Sequence, residues 1–223
     1  MELRHEWKHE ITRSDIISLR SRLRAIASPD PHAGPDGRYN VRSLYFDTPD
    51  DRALHEKLDG VSRREKFRLR CYNGSPSPIL LEKKIKLDGL CGKQSVELTP
   101  EQTRALLSGD IEWMRCGAPL LQELCFKLCS ELLRPRTIVE YSREPFVYAP
   151  GNVRVTIDTD IRTGLFCTDF LDSGSLTIPA AGSPSLLEVK YDGFLPDIIR
   201  DAVQLTGRRS SAFSKYAVCR IYG

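Results

Sequence analysis

The segment KFRLRCY (66–72) carries Lys66, Arg68 and Arg70 at every second position, with Phe67, Leu69 and Cys71 between them. On a β-strand that spacing sends three cations to one face and three apolar side chains to the other. Same-face neighbours on a strand are about 7 Å apart, so the cations repel one another. Such a strand needs an apolar layer on one side and something anionic on the other. The same partition recurs along the chain. Glu6, Lys8 and Glu10 align in RHEWKHEIT (4–12), and Glu82, Lys84 and Lys86 in ILLEKKIK (79–86), with Lys83 on the opposite side. Arg154, Thr156 and Asp158 align in VRVTIDTD (153–160), and Glu188 and Lys190 in LLEVKYD (186–192). A solvated sheet face usually mixes Thr, Ser, Gln, Lys and Glu. Here Arg and Lys follow one another with few carboxylates between them.

A polyanion would relieve that repulsion, and phosphate is the natural one. Arg offers a planar fork to phosphate oxygens and Lys a compact point charge. The few carboxylates suit Mn²⁺ or Mg²⁺, since such ions are held by one or two carboxylates plus substrate phosphates. The signal is segregation and not excess. Lys plus Arg number 33 and Asp plus Glu 30, a net charge of +3, which argues against a strongly basic nucleic-acid binder. There is no GxxxxGK[ST] loop and no GxGxxG turn, so side chains would hold any nucleotide. His5, His9, His32 and His55 are scattered and read as surface or packing residues, and no close nucleophile–His signature is present.

The remaining patterns give an α+β chain of one domain, 1–223, with a mostly antiparallel sheet. Ser14 reads as the N-cap of a helix over 15–26, with Ile16, Leu19 and Leu23 at helical spacing. Strands are expected at 41–47, 66–72, 79–86, 91–98, 136–143, 146–149, 153–160 and 186–192, with Asp88-Gly89 as a hairpin turn. Helices are expected at 50–58, from Thr99-Pro100, at 119–133, at 196–206 and from Ser210 or Ser211 to about 221. A long loop with a short strand fills 164–185. No stretch is long and apolar enough to span a bilayer, and no signal-peptide pattern is present. Seven irregularly spaced cysteines then read as reduced thiols in a cytoplasmic protein, with Cys125 and Cys129 packing on one helical face.

Several segments in order resemble the VTC domain, the polyphosphate polymerase domain of the vacuolar transporter chaperone complex and its bacterial relatives. They are SLYFDT (43–48), FRLRCY (67–72), LLEKK (80–84), LRP (133–135), YSR (141–143), VRVTID (153–158), LEVKYD (187–192) and FSKY (213–216). That domain belongs to the triphosphate tunnel metalloenzymes, related to the CYTH phosphatases. The resemblance implies a closed antiparallel barrel, a tunnel of about eight strands with helices outside and charges lining the lumen. It implies that Lys8, Arg68, Arg70, Lys84, Arg143, Arg154 and Lys190 bind triphosphate. Glu188 would hold Mn²⁺ or Mg²⁺, and Ser214 and Lys215 would meet phosphate at one tunnel end. Glu6, Glu10, Glu82, Lys66 and Lys93 are further candidates on the same faces. The family often has a Lys where this chain has Ala212, for which Arg208 or Arg209 could compensate.

The implied reaction transfers the γ-phosphate of ATP to a growing polyphosphate and releases ADP. A phosphate acceptor is already ionised and needs no general base. The alternatives are a triphosphatase, with Glu6, Glu10 or Glu82 activating water, and a non-catalytic polyphosphate binder. Nucleic acid is not an expected partner, because Phe67 falls on the apolar face. Polymerases of this kind can be coupled to membrane channels, which would place a cytoplasmic chain at the inner face of a membrane through a separate partner.

Overall fold

Asp88 and Gly89 both adopt positive φ, 48° and 92°, and turn the chain between Leu87 and Leu90. Two successive left-handed residues match the twist of the strands they join. The hairpin belongs to a computed structural model that describes residues 2–75, 77–182, 184–205, 207 and 212–220. Its strands are β1 (His5–Ile11), β2 (Ser28–Pro29), β3 (Tyr39–Asp47), β4 (Arg63–Tyr72), β5 (Ile79–Leu87), β6 (Leu90–Leu98), β7 (Arg134–Tyr148), β8 (Val153–Thr163), β9 (Ile178–Pro179) and β10 (Ser185–Tyr191). Its helices are α1 (Arg13–Ile26), α2 (Arg52–Leu58), α3 (Pro100–Ser108), α4 (Pro119–Ser130), α5 (Asp197–Val203) and α6 (Lys215–Arg220).

Eight strands pair in the order β1-β10-β8-β7-β3-β4-β5-β6, all antiparallel, while β2 joins β7 and β9 joins β8. The two ends of this path meet at a single bridge. Arg4 N donates to Cys91 O and Cys91 N to Arg4 O, each at 2.9 Å. The expected closure is therefore one bridge and not a full ladder, among the described residues.

Two apolar layers cover the outer face. Leu44, Phe46, Phe67, Leu69, Ile79 and Leu81 pack under α3 and α4, and Val153, Val155, Ile157, Leu187 and Val189 under α1 and α5. The third layer departs from expectation. Tyr216, Ala217 and Cys219 of α6 pack with Tyr39, Val41, Tyr45, Val139, Ile161 and Leu186, which face the concave side. So α6 does not lie outside the sheet with α1, α3, α4 and α5; with Leu54 of α2 beside it, it plugs one end of the lumen.

Thr99 caps α3 as expected, in a reciprocal pair with Gln102. For α1 the cap is Thr12 and not Ser14. Thr12 Oγ1 accepts from Asp15 N while Asp15 Oδ2 accepts from Thr12 N. The two strands expected at 136–143 and 146–149 are one strand, β7, because Pro145 breaks no ladder where it sits. Helices α4 and α5 end earlier than expected, at Ser130 and Val203. Ser210, Ser211, Arg208 and Arg209 lie outside the described residues. No helix among the described residues is long and apolar enough to cross a membrane.

Candidate functional site

Alternation places the charged faces of β1, β4, β5, β7, β8 and β10 toward one lumen. Its cavity, of about 130 Å³, is lined by Lys8, Lys66, Arg68, Arg70, Lys84, Arg143, Lys190, Ser214, Lys215, Glu6 and Glu188, together with residues missed in the sequence. Eleven of the lining residues are Lys or Arg and three are Glu, so the wall carries a large excess of positive charge.

Most carboxylates present are already engaged. Glu82 is fully buried, accepts Arg68 Nε at 2.7 Å and Lys93 Nζ at 2.9 Å, and lies 3.8 Å from Arg70 Nη1. It sits behind the lining and props the arginines. Asp158, also fully buried, holds Arg143 through two bonds of 2.7 and 2.8 Å and Lys215 Nζ at 2.6 Å. Glu188 meets Lys190 at 3.1 Å, Lys8 at 3.8 Å and Arg143 at 3.9 Å. Glu6 accepts Lys8 Nζ at 2.7 Å. Burial and the Glu188 charge push the Glu6 carboxyl up, but Lys84, Lys8 and Lys190 together bring it well below the usual range.

The structure does not gather every candidate. Arg154 is held at 2.6 Å by Asp30 and at 2.9 Å by Tyr39 Oη, and it does not line the cavity. Glu10 is exposed at the end of β1, and Lys93 is half exposed on the edge strand. Glu140 faces outward and pairs with Arg42, whereas Arg143 faces in. Regular alternation along β7 accounts for this, since the two residues are three apart; the bulge between Glu140 and Ser142 lies in β8, which advances three residues there, through Asp160 at φ 50°. Cys125 is buried, but Cys129 is exposed, so the two do not share a packed face.

The sequence reading missed Tyr45 and Tyr141, and it put Asp158 on the charged face of its strand without giving it a role. Tyr45 Oη accepts Arg68 Nη1 at 2.8 Å, and Tyr141 Oη accepts Arg70 Nη2 at 3.0 Å. Tyr45 stands two residues after Ser43 on the inward face of β3, so the alternation applied to FRLR would have found it. Asp47 was also missed. It accepts from Thr48 N, Ala53 N and Leu54 N, and from Tyr216 Oη at 2.6 Å, fastening α6 to the start of α2.

Three groups, Lys66, Tyr45 and Lys84, have their proton affinity shifted into the working range. Burial pushes the Lys66 ammonium down, to about 8, against the pull of Tyr45 and with help from Lys8 and Arg68. Burial pushes the Tyr45 phenol up, but Arg68, Lys66, Arg70 and Lys84 outweigh it and bring the phenol to about 7. A bound polyanion raises all three, so binding takes up protons. Affinity for inorganic triphosphate is therefore highest below pH about 7 and falls as pH rises through 8 and beyond. Titration calorimetry in buffers of different ionisation enthalpy measures the uptake. The double variant Lys66→Met/Tyr45→Phe should make the profile shallower, with the Lys84 contribution remaining; an unchanged slope would refute the assignment.

The residues fit a divalent cation in one respect. Glu6 Oε1 is buried with no hydrogen-bond partner, faces the cavity shared with Glu188, and has its nearest cation, Lys190 Nζ, at 3.5 Å. A buried carboxylate oxygen without a donor, beside a second carboxylate, suits a hard cation completed by phosphate oxygens. Glu6 and Glu188 are the residues that would hold it.

Solved structures share the fold at low identity. The Hippeastrum adenylyl-cyclase-type protein HpAC1, described by a dominant triphosphatase activity, matches with a TM-score of 0.56 and 13% identity over 100% of this chain and 96% of that one. A Bacillus halodurans protein assigned as an adenylate cyclase matches at 0.51 and 15%, over 85% and 80%. A Pyrococcus horikoshii protein matches at 0.52 and 12%, over 97% and 99%. A search of curated proteins finds no match. The sequence profile of the VTC domain matches residues 3–221.

Proposed function

This chain belongs to the VTC domain family, and from that premise we propose that it is a metal-dependent polyphosphate polymerase, transferring the γ-phosphate of ATP to a growing polyphosphate with release of ADP. The observation that carries the reading is the pairing of the lumen's carboxylates. Glu6 and Glu188 of the lining, and Glu82 and Asp158 behind it, are all held below the usual carboxylate range, the lysines and arginines around each outweighing its burial. Carboxylates that acidic are poor bases toward water. An ionised phosphate acceptor needs none.

In this mechanism Arg68 and Arg70 of β4 bind the transferred phosphate, each oriented by a tyrosine hydroxyl. Lys8, Lys84 and Lys190 neutralise the adjoining phosphates from β1, β5 and β10. Arg143 and Lys215, fixed by Asp158, meet the chain deeper in the lumen. Mn²⁺ or Mg²⁺ held by Glu188 and Glu6 would add charge neutralisation to the oxygens of the bound phosphates. Little covalent chemistry falls to the protein; positioning and charge supply the rate.

Hydrolysis is the second reading, and one observation favours it. Burial pushes the Lys84 ammonium down to about 7, with Glu6 opposing and Lys190, Lys8 and Arg68 assisting, so an amine able to accept a proton faces the cavity. Incubation with ATP and Mn²⁺ followed by separation of the products decides. Long polyphosphate with ADP is the expected result. Orthophosphate or pyrophosphate alone would establish a hydrolase, and binding without turnover a carrier. If Arg68→Ala, Arg70→Ala and Glu188→Ala all stay folded and fully active, the site is elsewhere.

A further inference from the structure

The lumen's mouth adjoins a second cavity. This one, of about 330 Å³, lies between α2, the start of β4 and the end of β5, and it shares a wall with the first. Arg64, Lys66 and Lys86 belong to both cavities, and Lys57 of α2 stands at the same mouth. Among the described residues none of these four cations forms an ion pair with a carboxylate. Arg64 Nη1 donates only to Val61 O, and Lys66 Nζ lies 3.5 Å from Ser214 Oγ. Burial, and then the charges of Arg64, Lys8 and Lys86, push the Lys57 ammonium down, with no acid among the causes.

The acids nearby are already committed. Asp47 holds the first turn of α2. Glu65 takes Lys83 and Lys127, both at 2.7 Å, and Glu131 takes Arg52 and Lys127. Burial pushes the Glu56 carboxyl up against the charges of Arg52 and Arg64, and it forms no ion pair with any of the four. Four neighbouring cations with no carboxylate in contact repel one another, and their shared wall leads out of the lumen.

We propose that this wall is a binding lane for a linear phosphate chain longer than the lumen holds, running from the mouth over Lys57, Arg64 and Lys86 into the second cavity. The inference rests on the tunnel reading above and adds a subsite to it. A repeating anion without bases matches the wall. The aromatic residues of the second cavity, Phe46 and Phe67, are 1% and 2% exposed and offer no face for stacking a nucleobase.

The test is the double variant Arg64→Gln/Lys86→Gln, which keeps the side-chain stems. Wild type and variant are titrated with inorganic triphosphate and with long-chain polyphosphate at one ionic strength. Affinity for the long chain should fall about tenfold, with a much smaller loss for triphosphate, because each lost contact is a partly exposed ion pair. The long-chain affinity should also become less sensitive to salt. Equal losses on both ligands, or no loss on the long chain, would overturn the lane. So would a single-stranded oligonucleotide that competes with polyphosphate on equal terms. Wild type that binds neither phosphate ligand would instead bring down the tunnel reading itself. Should the double variant not fold, Lys57→Gln carries the same expectation from an α2 side chain that supports no buried pair.

Discussion

Replacing Glu82 by Ala should lower the stability of the folded chain by about 3–5 kcal/mol, the usual cost of removing one partner of a buried ion pair. Glu82 is fully buried and holds Arg68 through contacts of 2.6 and 2.7 Å, with Arg70 and Lys93 beside it. Without the carboxylate, the Arg68 guanidinium stays buried with only the Tyr45 hydroxyl as partner. At about 2–4 °C per kcal/mol for a chain of this size, the melting temperature should drop by about 10 °C. The folded-state carboxyl lies below its unfolded value, so the pair's contribution is present above pH about 4.3 and is lost as pH falls further. Inorganic triphosphate should restore more stability to the variant than to wild type, because the ligand supplies the missing negative charge. Calorimetric scans with and without triphosphate measure both effects. A variant that melts with wild type would mean that Arg68 is solvated and not propped.

The largest effect on turnover should come from Arg70→Ala. Arg70 is buried yet loosely committed: its Nη1 is 3.8 Å from Glu82, and its other contacts are hydroxyls, Ser43 Oγ at 3.2 Å and Tyr141 Oη at 3.0 Å. A guanidinium held by neutral partners keeps most of its charge for a ligand. Loss of a preorganised donor of this kind lowers kcat by about 10²–10³, or about 3–4 kcal/mol. Arg70→Lys should recover only part of it, since the ammonium lacks the planar fork. Because no acid depends on Arg70 alone, the variant should stay folded, which separates this result from that of Glu82→Ala. Rates within about twofold of wild type in a folded Arg70→Ala would place the transferred phosphate away from β4.

Much of the fold was legible because its signals are local. Asp88-Gly89 announced its turn, Thr99-Pro100 its helix, and the Lys66, Arg68 and Arg70 alternation its two-faced strand. The Thr12 cap was misread because Thr12 and Ser14 are both capping residues, and only the reciprocal bond with Asp15 chooses between them. One extra residue in β8, at Asp160, puts Asp158 and Ile161 on the same side although they are three apart. A bulge reverses the parity of all that follows it, so alternation carried past that point assigns faces wrongly.

The sequence by itself determined which side chains share a strand face, and hence that a cationic surface with a few carboxylates must exist. That information lies in a period of two residues. Only the tertiary structure decided which cations are free to act. Arg154 is drawn to Asp30, Lys93 to Glu82, and Lys215 to Asp158, across separations of many residues. It also decided that α6 enters the lumen and that Lys57, Arg64 and Lys86 stand together with no ion pair among the described residues. Pairing between charges falls off over a few ångströms, and distance along the chain says nothing about distance in space.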